Sequence, residues 1–104
     1  LFDILGAIEL IESFMPAASD FAEFQRDMKT RSAVERQLAI IGEAVNKFQQ
    51  LEPNNGLSDS AAIIGLRNRI IHAYDSLDAS IIFHVVTKKL GGLRAEVEQA
   101  LVAN

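Results

Sequence analysis

Residues 65–74 read GLRNRIIHAY and set two arginines, an asparagine, a histidine and a tyrosine among isoleucines. Arginine presents a planar fork of donors that matches a phosphate. Histidine exchanges a proton near neutral pH. Asn68 is spaced to hydrogen-bond one imidazole nitrogen and fix its tautomer. Together these side chains suit RNA cleavage without a metal or cofactor. His72 would remove the 2′-OH proton, that oxygen would attack the adjacent phosphorus, and Arg67 would stabilise the charge that builds on the phosphorane. The nucleophile already belongs to the substrate, so nothing else need supply one. The same residues also fit a solvated polar face. In that reading His72 is a favourable partner for a helix C-terminus and Tyr74 a core-edge aromatic.

A helix turns about 100° per residue. Asn68 and His72, four apart, then lie on one line, as do Arg67 and Tyr74, seven apart. Arg67 and His72 are five apart, which points them about 140° away from each other. Three things would bring both to one small ligand: a sweep of the long arginine, an end to the helix near His72, or a second copy of the helix. Ile63, Ile64, Leu66, Ile70 and Ile71 fill much of the remaining wheel and should face a core or a dimer partner.

The elements that must hold this segment are helical. In LFDILGAIELIESFM, Leu1, Leu5, Ile8, Ile11 and Met15 recur every three or four residues, and Pro16 should end the helix. Asp20, with Glu23 three later, should cap a short helix. Val34, Leu38, Ile41, Val45 and Phe48 form the clearest stripe, with Thr30 or Ser32 as the expected N-cap. EPNNGLSD is dense in turn residues. A helix from about Ser60 to Tyr74 follows, then a break at DSLD, where Ser76 or Asp78 can cap the next helix. The last segment reads as one long helix jointed at Gly91–Gly92. No segment alternates with period two. The expectation is an all-α, up-and-down bundle of four to five helices forming a single domain over residues 1–104, small enough for oligomerisation to help its core.

Composition narrows the partners. With 14 acidic and 10 basic residues the net charge is −4, which argues against coating nucleic acid by bulk electrostatics. The charge is uneven. Residues 1–25 hold five acids and no Lys or Arg, whereas residues 26–47 hold five basic side chains and three acids. There is no cysteine, which excludes disulfides and thiolate metal sites and fits a reducing compartment, so a cytoplasmic location is expected. No basic stretch precedes an apolar run, and no run is long enough to span a membrane. The chain begins at Leu1 rather than Met, which raises the expectation of a few residues upstream.

GLRNRIIHAY followed by LD resembles the signature of the HepT type of HEPN-superfamily ribonuclease toxins, Arg-Asn-x3-His-x-Tyr after a Gly-Leu pair. AVERQLAIIGEAVNKF and DILGAIELIESF are also similar to that family, so the resemblance runs nearly end to end. It implies a homodimer whose two motifs face each other across the interface in one composite cleft. Arg67 and His72 match the catalytic pair and Asn68 the polar residue beside the arginine. Tyr74 matches the tyrosine to which a minimal nucleotidyltransferase antitoxin adds AMP, placing bulk and negative charge where RNA phosphates would sit. The pair would form a toxin–antitoxin module of type II or VII. The chain departs from the family in having LSDSAA where Pro-Trp often precedes the motif helix, and Phe83 where a Trp often follows the Asp. A second reading is a non-catalytic helical module that docks a nucleotidyltransferase, and a third is a bundle whose dimer interface is its only task.

The remaining polar residues are expected in supporting places. Glu43 should be a partly buried carboxylate that pairs with Arg36 or Arg69 and orients the motif helix. His84 reads as a structural or surface histidine. Lys88, Lys89 and Arg94 fit either an RNA backbone track or a solvated face. The Glu-x-x-His pairs of a carboxylate-bridged metal bundle do not occur, so no metal site is expected.

Overall fold

The computed structural model describes residues 1–15, 20–72 and 78–103. Helix α1 (Phe2–Phe14) buries Ile4, Ala7, Ile8 and Ile11, with Leu1 and Leu5 packed at the edge of the core and Met15 buried just beyond its end. Pro16 lies outside the described residues. Helix α2 (Phe21–Arg26) starts at Asp20, whose Oδ1 accepts the Glu23 N–H at 2.8 Å, as the capping pattern predicts. Helix α3 (Met28–Leu51) buries the stripe Val34, Leu38, Ile41 and Val45 and half-buries Phe48. Its N-cap is neither Thr30 nor Ser32. Asp27 accepts both the Thr30 N–H at 3.0 Å and the Thr30 hydroxyl at 2.6 Å. A carboxylate takes both protons at once, so the helix begins one turn earlier than the hydroxyl residues imply.

The turn after α3 is fixed by Asn55, which accepts the Leu57 N–H at 2.8 Å, and by Gly56 at φ +80°, a conformation other residues rarely adopt. Helix α4 (Ser60–His72) follows. Helix α5 (Ala79–His84) is capped by Asp78, which accepts the Ser80 N–H at 2.9 Å; Ser76 lies outside the described residues. A π-turn (Val85–Lys89) joins α5 to helix α6 (Leu90–Ala103). The expected joint at Gly91–Gly92 is therefore displaced. Both glycines lie within α6, and the irregularity sits one turn earlier, where the Thr87 hydroxyl donates to the Phe83 carbonyl at 2.8 Å.

The described residues thus form five helical rods and no strand, an all-α, up-and-down fold. The long helix α3 is the spine, with α1 on one flank and α4 on the other. Helix α6 packs on α1, and α2 bridges α3 and α5, where Phe83 meets Phe21 and Phe24 with ring centroids 5.5 and 5.6 Å apart. Arg94 ties α6 to α1 through Glu9 and Glu12 and also pairs with Glu98. The principal extents, 41 × 30 × 17 Å, are those of a slab. The apolar spine of α3 explains why. Helix α4 rests on α3 but barely touches α5–α6, and none of its residues is fully buried.

The tightest approach lies between α3 and α4. A Cβ on Gly42 would fall 2.3 Å from the Arg67 Cβ and 2.7 Å from its Cγ. Gly42→Ala should therefore push α4 off α3 and destabilise the fold by roughly 1–3 kcal/mol. Gly6→Ala, where a Cβ meets nothing within 4 Å, should be neutral or stabilise by up to about 1 kcal/mol. Urea melts of the two variants check this, and equal effects would sink it. The caps predict a second behaviour. Hydrogen bonds from the Thr30 hydroxyl and amide hold the Asp27 carboxyl below its ordinary value of 3.8, and those from Ser80 do the same for Asp78. A lowered folded-state value stabilises above about pH 4 and is lost as the pH falls through it. The gap in melting temperature between wild type and Asp27→Asn should be full at pH 7 and shrink below about pH 4.

Candidate active site

Helix α4 points its side chains in three directions. Ile63 and Ile70 turn partly toward the core, as does Arg67, which is laid along α3. Asn68 and His72 lie on the solvent side, both exposed, with Ile71 beside them at 49 % exposure. Ala62, Gly65, Leu66 and Arg69 line a groove on the remaining side.

Arg67 is the most constrained of the polar residues. Its stem occupies the space that Gly42 leaves, so the side chain is only 19 % exposed. Its Nη1 stands 3.5 Å from Glu43 Oε1, a long contact for a charge-assisted pair. Its Nε is buried and has no hydrogen-bond partner among the described residues. The guanidinium is thus anchored through carbon and underused in its donors. That combination leaves a positioned fork with capacity for an anion. Glu43 is not the half-buried partner of Arg36 or Arg69 that the spacing suggests. It is 55 % exposed and reaches Arg67, because Gly42 brings that arginine down beside it.

His72 is the last residue of α4 and Asn68 stands one turn before it. Among the described residues the Asn68 side chain makes no hydrogen bond, so the expected clamp on the imidazole is not formed here. By ideal helical geometry Arg67 and His72 leave the axis about 140° apart, and α4 ends at His72. Tyr74 lies outside the described residues. Arg69 turns away from Arg67 and, with His84 and Lys89, rims the groove between α4 and α5–α6. Arg94 is enclosed by three carboxylates, which removes it from any phosphate track; Lys88 and Lys89 are exposed.

Around this site, Glu43 also edges a shallow groove of about 420 Å³ between α1 and α3, with Phe2, Leu10, Ile40 and Lys47. Phe2 is 76 % exposed. Among the described residues no three His, Asp or Glu side chains converge to hold a metal ion, and no helix is long and apolar enough to cross a membrane. Sequence reasoning missed the role of Gly42 and the groove rimmed by Arg69. The signal for the first was present: a glycine inside the strongest stripe, between Ile41 and Val45, marks a close crossing.

Residues 4–100 match the family model described as ribonuclease HepT-like. Among curated proteins, the chain is similar to "Probable ribonuclease HepT" of Thermococcus cleftensis, 37 % identical with 95 % of this chain and 90 % of that protein covered. Two proteins of Methanocaldococcus jannaschii whose names describe them as RNases are 34 % and 33 % identical, covering 97 % and 94 % of this chain and 84 % and 90 % of their own lengths. No solved structure matches the chain.

The Glu43–Arg67 contact is long and half in water, so Glu43→Gln should change stability by less than about 1 kcal/mol. It should nonetheless move the Arg67 Nε–H resonance in a side-chain NMR spectrum. A loss of about 2 kcal/mol or more, or an unmoved resonance, would show that the carboxylate does something other than hold the guanidinium tip.

Proposed function

Since the chain belongs to the HepT-like ribonuclease family, we propose that it is a metal-independent endoribonuclease in which Arg67 and His72 act on the scissile phosphate. The observation that carries this reading is Arg67: a guanidinium held by its stem against Gly42, with Nε left without a partner among the described residues, one turn and a half before an exposed His72. His72 takes the 2′-OH proton and the freed oxygen attacks phosphorus. Arg67 donates to the non-bridging oxygens as charge accumulates there. The P–O5′ bond breaks, and the leaving oxygen takes a proton from solvent or from an imidazolium in the cleft. The products are a 2′,3′-cyclic phosphate and a 5′-hydroxyl. Asn68 positions the imidazole once substrate is bound, while Glu43 and Arg69 support the helix electrostatically.

A second copy resolves the divergence of about 140°. In a homodimer, Arg67 of one protomer and His72 of the other can face one phosphate. The exposed Phe2 and Leu10, on the groove that Glu43 edges, and the exposed Ile71 beside His72 support such an interface. Tyr74, two residues beyond His72, is the site where a minimal nucleotidyltransferase antitoxin would add AMP and block the cleft, making the chain the toxin of a toxin–antitoxin module. The same exposed apolar residues also favour the second reading, a docking module without catalysis.

Total RNA incubated with the purified protein in EDTA should be cut to fragments with 2′,3′-cyclic phosphate ends. Arg67→Ala and His72→Ala should each lose about 100-fold or more of that activity. No cleavage by a folded wild-type protein free of AMP on Tyr74 would move the assignment to the docking module.

A further inference from the structure

A groove of about 610 Å³ runs between α4 and α5–α6, on the side of α4 away from Arg67. It is within the size range of small-molecule sites. Its floor is Leu38 and Ile41 of α3, and its walls are Leu66 on one side and Val85, Leu90 and Leu93 on the other. The π-turn supplies Val85 and Lys89 to this wall, and such turns recur at functional sites. One end is closed where the Ser58 N–H donates to the Glu96 carboxylate at 3.2–3.3 Å, with Asp59 beside it. At the other end Arg69 and His84 stand on opposite walls, and Lys89 sits further in along the rim. None of these three side chains makes an ion pair or hydrogen bond among the described residues.

We propose that this groove binds an anionic amphiphile: an unbranched aliphatic chain ending in a carboxylate, with the chain against the leucine and valine walls and the carboxylate between Arg69, His84 and Lys89. Three observations select this ligand. The floor and walls between the ends are aliphatic, with no Phe, Tyr, Trp, Asn or Gln in the lining, so the length of the groove suits an alkyl chain. The distance along α4 from Asp59 to Arg69 is about 15 Å, the length of roughly ten to twelve carbons at bonds of about 1.5 Å. Arg69 and His84 mark the open end and Lys89 stands about halfway along, while both carboxylates, Asp59 and the amide-engaged Glu96, lie at the other end and leave the open end to an anion. This site stands apart from Arg67 and does not rest on the ribonuclease reading.

Decanoate, kept below its micelle concentration and titrated calorimetrically into the full chain, is the test. Saturable one-to-one binding is expected, with affinity rising about fourfold per methylene from octanoate to decanoate. Decanol should bind at least tenfold more weakly. Lys89→Ala should weaken decanoate several-fold and leave decanol unchanged. Ala62→Phe, which puts a ring into the groove, should abolish binding of both. The proposal fails if decanoate gives no saturable heat, if decanol binds as well, or if Ala62→Phe leaves binding intact. It also fails if AMP competes with decanoate, which would make the groove a nucleotide site. Binding to phosphatidylglycerol vesicles without binding to free decanoate would assign the basic rim to a membrane surface. Loss of dimer mass in Ala62→Phe, with no decanoate bound by wild type, would assign the groove to a second copy of the chain.

Discussion

The contact on which the rest depends is the one between Gly42 and the stem of Arg67. Helices ordinarily pack at 8–10 Å because side chains intervene. Here one helix contributes no side chain and the other contributes the methylenes of an arginine, which bury well while the charged head stays near the edge. The crossing settles three things together. It fixes the height of α4 on the spine helix, it stiffens the root of the guanidinium, and it sets that guanidinium beside Glu43. It also explains why a helix with no fully buried residue is held at all: its one deep engagement is with α3.

That same engagement leaves the opposite side of α4 open. In a closed four-helix arrangement each rod touches two neighbours; here, among the described residues, the circuit from α4 through α3 and α1 to α6 closes back on α4 only slightly. The groove is the gap in that circuit, and Ala62 and Gly65 keep it open from the α4 side by offering no bulk. Charge is arranged to match. Glu9 and Glu12, two of the three acids of the first helix, are paired with Arg94 at the α1–α6 contact. Arg67 meets one distant carboxylate, Glu43, and Arg69 and Lys89 have no ion pair among the described residues, so a chain of net charge −4 still offers cationic positions where an anion would approach.

How far the residues alone revealed this follows from which interactions are local. The caps at Asp20 and Asp78 and the stripe through Val34, Leu38, Ile41 and Val45 depend on neighbours within one or two turns, and they were legible. The α3 cap was misplaced by three residues because Asp27 and Thr30 are both good caps, and only geometry shows the carboxylate accepting both Thr30 protons. The partner of Glu43 was illegible for a different reason. Arg36, Arg67 and Arg69 are equivalent by type, and the choice among them is made by the absent Cβ at position 42. The joint after His84 was drawn to two glycines because they are the weakest helix formers, yet a threonine hydroxyl on the i−4 carbonyl opened the turn before them.

The divergence of Arg67 and His72 on one helix looks like an obstacle to catalysis, and in the proposed dimer it becomes the means of it. A two-fold axis reverses the order of directions on the facing helix, so an arginine leaving one copy to the left meets a histidine leaving the other from the right. Groups pointing the same way on a single helix would instead crowd one half of the cleft and leave the other empty. Burial divides the labour in the same sense. In the proposed reaction the stem packed on Gly42 would make the arginine a fixed donor, while the exposed imidazole at the end of α4 would turn as the proton moves. A rigid charge stabiliser and a mobile proton carrier are what a reaction whose nucleophile already sits on the substrate requires of the protein.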